Sequence, residues 1–137
     1  MSFDLSDSEI KTILSTAQNI AVVGLSDAPE KPSYRVANYL VSAGYQIYPV
    51  TPKYDSILGL KCYPNLKDIK DRIDIVDIFR RPEQIFPIAK EAIEIKSSVV
   101  WMQLGIVNEE AAQLARNAGL KVIMNRCIKI EHQRLMC

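Results

Sequence analysis

The stretch NIAVVGLSDAPEKPSYRVANYL, residues 19–40, decides the fold. Residues 20–24 form an apolar run that ends in glycine, which is typical of a strand buried on both faces of a parallel sheet. Residues 34–43 predict a helix, with Ser33 as its N-cap and Gly44 as its end. A strand, a loop and a helix in this order begin a βαβ unit.

The loop inside this stretch, which starts Gly24-Leu25-Ser26, differs from a dinucleotide site. No second glycine follows until Gly44, so the Gly-x-Gly-x-x-Gly pattern of NAD sites is absent. A single glycine still lets a ligand approach the backbone, and the amides at the start of the next helix favour a phosphate. The hydroxyls of Ser26 and Ser33 add donors. The alternative is a solvated loop in which Ser33 only caps the helix.

The rest of the chain continues the alternation of strands and helices. Further strands are predicted at residues 45–50, 73–79, 99–104 and 120–124, and helices at residues 66–70 and 83–95 and between Asn108 and Gly119. A first helix, capped by Ser6 or Asp7, precedes them, and residues 125–137 read as polar and irregular. The pattern predicts an α/β fold: one domain, residues 1–137, with a Rossmann-type doubly wound parallel sheet of about five strands in the order 3-2-1-4-5 between two helical layers.

Composition excludes several classes of protein. The net charge of +1 gives no bulk attraction to nucleic acid or to a membrane surface. No apolar run approaches the roughly 18 residues of a spanning helix, and the N-terminus has no basic cluster typical of a signal peptide. Three irregularly spaced cysteines do not make a disulfide framework. We therefore expect a reduced, cytoplasmic protein.

Ligands of doubly wound sheets bind at the carboxyl ends of the strands, and the second strand ends in Thr51-Pro52-Lys53. An NAD site places an acidic residue near this point. A lysine suits a ribose phosphate instead, either the 2′-phosphate of NADP or the 3′-phosphate of coenzyme A. A plain surface lysine beside Pro52 is the alternative.

The third predicted strand ends in Phe79-Arg80-Arg81, where two arginines at a helix start can reach an anion. Phe79 or Pro82 can pack on an adenine ring, and a solvated basic corner is the alternative. The fourth strand ends in Gln103-Leu104-Gly105. Gln103 is polar at the end of an apolar strand, and its amide either serves the ligand loop or satisfies nearby backbone.

No catalytic or metal-binding constellation is predicted. One histidine, His132, beside one carboxylate is weak support for a general base. Cys127 has no metal-ligand spacing with Cys62 or Cys137. Asp77 interrupts an apolar strand, so it either faces a polar partner or marks an exposed strand.

Five blocks in order carry a resemblance to a known family: AVVGLSDAPEKPSYRVANYL, GYQIYPVTPKYDSILGLKCYPNL, VDIFRRPEQI, VVWMQLGIVNEEAAQLARNAGL and MNRCIKIEHQRL. The chain resembles the small stand-alone CoA-binding proteins (the YccU-like family) over residues 6–135. It is also similar to the N-terminal domain of the succinyl-CoA synthetase α subunit. The chain departs from the family's usual Asn, Asp and Pro at Thr51, Asn125 and Ile128.

The resemblance implies that coenzyme A lies across the carboxyl edge of the sheet. Gly24, Leu25 and Ser26 would lie by the pyrophosphate, with Ser33 and Arg35 beside that loop. Thr51, Pro52 and Lys53 would border the adenosine, with Lys53 near its 3′-phosphate. Phe79, Arg80 and Arg81 would form the next wall of the site. Gln103, Leu104 and Gly105 would form the last wall.

Three functions are open at this point. The first is a CoA or acyl-CoA binding protein without chemistry of its own. The second is an NADP-dependent or acyl-CoA-processing enzyme that acts with a partner subunit. The third is a nucleotide-free interaction module. The expected protein partners are a second copy of the chain, as in a homodimer, or a partner enzyme.

Overall fold

The computed structural model describes residues 4–136 and contains an α/β fold. Its α-helices are α1 (Asp7–Thr16), α2 (Pro32–Ser42), α3 (Ile85–Glu94), α4 (Glu109–Asn117) and α5 (Ile128–Met136). Its strands are β1 (Asn19–Val23), β2 (Gln46–Val50), β3 (Ser56–Ile57), β4 (Leu60–Lys61), β5 (Ile75–Ile78), β6 (Val99–Met102) and β7 (Lys121–Ile123). Single 3₁₀ turns lie at Leu66–Asp68 and Pro82–Gln84. None of the helices in this part of the chain has the length and hydropathy to cross a bilayer.

The main sheet confirms the predicted parallel α/β class, but the predicted strand order is wrong. The order is β2-β1-β5-β6-β7, and all four pairings are parallel. Counted along the chain, these five strands run 2-1-3-4-5. The small β3–β4 hairpin, which the sequence did not predict, stands apart as a second sheet.

Burial explains why β5 rather than β2 is central. All four residues of β5 are buried, which requires a neighbour on each side and a helix layer on each face. β2 begins with the exposed Gln46 and contains Pro49. Because proline has no N–H to donate to a ladder, it is confined to edge positions of sheets. The predicted order would have placed these two strands the other way round.

The helices form two layers around the sheet. One face packs α1, α2 and α5 against a core that includes Ile20, Val22 and the fully buried Trp101. The other face packs α3 and α4 against Val76 and Val100. Helix α1 begins with a reciprocal capping box between Ser6 and Glu9, which confirms Ser6 as its cap.

Two predicted boundaries are corrected. Helix α2 begins at Pro32 with Lys31 at the N-cap, so Ser33 lies inside the first turn and is not the cap. Proline is well suited to a first helical position because it has no N–H to leave unpaired. The tail predicted as irregular contains α5, where Arg134 bridges Asp7 of α1 and Glu131 with N–O distances of 2.7 and 2.6 Å. Asp7 lies 127 residues from Arg134 in the sequence, so this contact is not visible in the local sequence pattern.

Candidate functional site

A cleft of about 450 Å³ lies at the carboxyl edge of the sheet, between the ends of β1 and β5. The order of the strands in the sheet reverses its direction between β1 and β5. After β1 the chain enters α2 on one face of the sheet, and after β5 it enters α3 on the opposite face. Eleven of the described residues line the cleft: Gly24, Ser26, Lys31, Pro32, Ser33, Phe79, Arg80, Arg81, Pro82, Gln84 and Ile106. Six of them are residues that the family resemblance assigns to the site.

Gly24 brings the two sides of the cleft together. Its φ of +87° lies in the left-handed region, and a Cβ at this position would collide with the carbonyl oxygen of Phe79. The same Cβ would lie 3.2 Å from Nε of Arg80. The Gly24 N–H donates to the carbonyl of Val50 at 2.9 Å. Glycine therefore allows the ends of β1 and β5 to approach closely.

Two serines hold the loop that follows β1. The buried Ser33 accepts the Ser26 N–H through its Oγ at 3.1 Å, and the Ser26 Oγ accepts the Ala28 N–H at 3.1 Å. Each hydroxyl keeps its own proton for donation. These bonds fix the loop, so the serines have a structural role beside any role toward a ligand.

The cleft is positively charged. It is lined by Lys31, Arg80 and Arg81, and none of the described residues that line it is acidic. Within residues 4–136 no ion pair engages these three cations. The first turn of α2 faces this cleft through Pro32 and Ser33, and none of the described side chains caps the helix. Unpaired cations beside a helix N-terminus favour an anion such as a pyrophosphate.

A smaller slot of about 220 Å³ adjoins the cleft, with Arg80 lining both. Its walls are mostly apolar, and they come from the ends of β1 and β2, the turn before the 3₁₀ segment, and α3: Val23, Val50, Pro52, Pro64, Asn65, Leu66, Arg80, Ile88 and Glu91. Glu91 lines the slot, and its carboxylate oxygen Oε1 is buried without a hydrogen-bond partner among residues 4–136. Cleft and slot together offer an anion site beside a compartment for a flat, apolar group.

Several sequence-predicted residues lie outside the cleft. Leu25 is 1% exposed and packs in the core, so only its backbone can face a ligand. Arg35 is exposed on α2 and donates to the Glu30 carbonyl at 2.8 Å. Thr51 is buried, and its Oγ1 accepts the N–H of the exposed Lys53 at 3.2 Å.

The three predicted site residues that follow β6 also differ in where they lie. Gln103 is buried, and its Oε1 accepts the Ile128 N–H at 3.2 Å, which ties β6 to the start of α5. Leu104 is 65% exposed and lines a different surface pocket. Gly105 donates its N–H to Oδ1 of Asn125 at 2.7 Å. The bond to Gln103 requires a residue with an N–H at position 128, which isoleucine supplies.

Asp77 is the buried polar residue that the sequence left unexplained. It lies in the centre of the sheet, between Val22 and Trp101, and is 0% exposed. Within residues 4–136, neither of its carboxylate oxygens has a hydrogen-bond partner, and the Nε2 of Gln103 also lacks one. Burial raises the pKa of Asp77 well above its usual range, and the Gln103 amide counteracts this to a smaller extent. The strand is therefore central and the carboxyl group favours its neutral form.

The candidate catalytic side chains lie away from the cleft or lack activation. His132 lies on α5, where a 2.7 Å hydrogen bond joins its Nδ1 to the Tyr39 hydroxyl, and burial lowers its pKa. It lines a pocket with Gly44 and Gln46, at the amino edge of the sheet. Burial raises the pKa of the Cys62 thiol, which disfavours the reactive thiolate.

Sequence reasoning missed Lys31, Ile106 and Glu91. Lys31 had a visible signal, since it directly precedes the helix that follows the glycine loop. Ile106 and Glu91 had none, because they reach the cleft and the slot only through the packing of the loop after β6 and of α3.

Comparison with known proteins gives one family. The model of the family described as CoA binding domain matches residues 18–133. The YneT protein of Bacillus subtilis, described as uncharacterized, is 48% identical over 93% of this chain and 94% of its own length. The acetate–CoA ligase (ADP-forming) of Methanocaldococcus jannaschii is 39% identical over 90% of this chain. This chain spans only 19% of that ligase.

Solved structures include proteins that superpose on this chain over nearly their whole length. A hypothetical protein from Pyrococcus horikoshii OT3 superposes with a TM-score of 0.96 at 42% identity, covering 98% of this chain and 95% of the other. A Thermus thermophilus protein superposes with a TM-score of 0.92 at 34% identity, covering 96% and 99%. Small proteins built from this domain alone are therefore among its relatives.

Proposed function

Because this chain belongs to the CoA binding domain family, we propose that it binds coenzyme A at the carboxyl edge of its sheet. The observation that carries the proposal is the cationic cleft between Gly24–Ser26 and Phe79–Arg81, at the switch point of the sheet. The diphosphate of the cofactor lies in this cleft, against Arg80 and Arg81. The adenosine lies toward the end of β2, where the adjoining slot offers apolar walls.

We further propose that the protein binds this cofactor without catalysing a reaction on it. The acidic and thiol groups that a transfer reaction needs are not gathered around the cleft in the described residues. His132 lies at the other edge of the sheet. The Methanocaldococcus jannaschii ligase has about five times the length of this chain, so its activity requires parts that this domain does not contain. The protein therefore acts as a binding module, in the cytoplasm, for CoA or an acyl-CoA.

We expect Lys53→Ala to weaken CoA more than dephospho-CoA. Lys53 follows Pro52, which lines the slot, and only CoA carries the 3′-phosphate that we assign to this lysine. The loss is about 1.5 kcal/mol, the lower end for a charge-assisted hydrogen bond, because Lys53 is exposed. Calorimetric titration of both ligands measures it.

The control is Lys90→Ala, which removes an exposed lysine from α3 outside the cleft and the slot. We expect this variant to bind both ligands as the unmodified protein does. If Lys53→Ala weakens CoA and dephospho-CoA equally, the assignment of Lys53 to the 3′-phosphate is wrong, although binding of CoA itself stands.

A further inference from the structure

We propose that Glu91 reads the base of the bound nucleotide by accepting a hydrogen bond from the exocyclic amino group of adenine. This inference rests on the proposed function, since the cleft beside the slot must hold the diphosphate. It adds a specificity-determining residue that lies on α3, outside the loops that follow the strands.

The unpartnered oxygen of Glu91 is the first observation. Its Oε1 is buried and has no hydrogen-bond donor in the described structure. An ionised carboxylate only accepts hydrogen bonds, and an acceptor that has left water without a donor is unfavourable. The terminal torsion of a glutamate is soft, so either oxygen can face the slot. The residue is therefore suited to a ligand that brings a donor.

The surroundings define that ligand. Pro52, Pro64, Leu66 and Ile88 give the slot apolar walls, and its volume of about 220 Å³ suits one flat ring system. Binding sites commonly combine apolar walls with a few polar groups that fix orientation. A ring with an amino group on its edge satisfies both requirements, whereas a ring with a carbonyl at the same place would set two acceptors against each other.

Arg80 connects the slot to the diphosphate. It lines both compartments, so a nucleotide whose diphosphate contacts Arg80 has its base beside the slot. Glu91 does not form an ion pair with Arg80 within the described residues. The carboxylate thus remains available to the base, and the guanidinium remains available to the phosphates.

The test compares CoA with deamino-CoA, in which hypoxanthine replaces adenine, by calorimetric titration. We expect the unmodified protein to prefer CoA by about 10- to 100-fold. In Glu91→Gln the side chain keeps its length but can donate or accept, so the preference falls to within about threefold. The control Glu94→Gln changes an exposed glutamate on the same helix and keeps the full preference.

The preference is a ratio measured on one sample, so it does not depend on the fraction of folded variant. Equal affinity of the unmodified protein for the two ligands would overturn the assignment of Glu91 and leave CoA binding intact. A Glu91→Gln variant that binds both ligands more weakly but keeps the preference would also overturn it, since Glu91 would then act only on the surrounding structure. Failure of both ligands to bind would instead reject the proposed function itself.

Discussion

Gly24→Ala is expected to lower the free energy of unfolding by more than about 3 kcal/mol. Two costs add at this position. An alanine at a φ of +87° is strained by roughly 1–2 kcal/mol. Its Cβ would also collide with the backbone carbonyl of Phe79, which follows the central strand β5 and cannot move without disturbing the sheet. Urea denaturation followed by circular dichroism measures the loss.

Gly59→Ala is the matched control for this experiment. Gly59 lies between β3 and β4 with a φ of +72°, and a Cβ there would meet no atom within 4 Å. This variant should lose only the conformational part, roughly 1–2 kcal/mol. Equal losses in the two variants would show that the close approach of β1 and β5 at Gly24 is not a constraint.

Asp77→Asn is expected to change how stability depends on pH. Burial raises the pKa of Asp77 in the folded protein, so the folded state binds this proton more tightly than the unfolded chain does. This tighter proton binding contributes fully to the free energy of unfolding below about pH 3.9, the pKa of an aspartate in the unfolded chain. The contribution is lost as the pH rises through the higher pKa of Asp77 in the folded protein. Asparagine stays neutral at every pH. The stability of the Asp77→Asn variant relative to the unmodified protein should therefore increase with pH.

Urea denaturation at several pH values from 4 to 8 tests this. The difference in unfolding free energy between Asp77→Asn and the unmodified protein should grow by more than about 2 kcal/mol over this range, the scale of a buried unpaired charge. The control is Asp27→Asn, since Asp27 is exposed in the loop after β1. A constant difference across the range would mean that Asp77 carries the same charge in the folded and unfolded states.

The class of fold could be predicted because it depends on local patterns. Apolar strands, a capped first helix and βαβ spacing are all visible in the sequence, and each has a counterpart in the structure. The order of strands depends on which strand is covered on both sides, and here the proline at position 49 was the available signal for an edge. Helix α5 packs against α1 and α2, and its Arg134 contacts a residue 127 positions away, which no local pattern contains.

The location of the site at one edge of the sheet was predictable, whereas the directions of some of its side chains were not. Residues directly after β1 and β5 meet in one cleft because parallel strands end at the same edge. Gln103 follows β6 at that edge too, but its side chain points into the core and holds Ile128. The direction of a side chain at a strand end depends on the packing of the next helix, and so does the position of Glu91.

The central claim is that the cationic cleft and the adjoining slot bind coenzyme A. Calorimetric titration of the purified protein in reducing buffer with CoA, dephospho-CoA, NADPH and NADH tests it most directly. We predict saturable binding of CoA, weaker binding of dephospho-CoA, and no binding of either nicotinamide nucleotide. Binding of NADPH without CoA, or of none of the four, would contradict the claim.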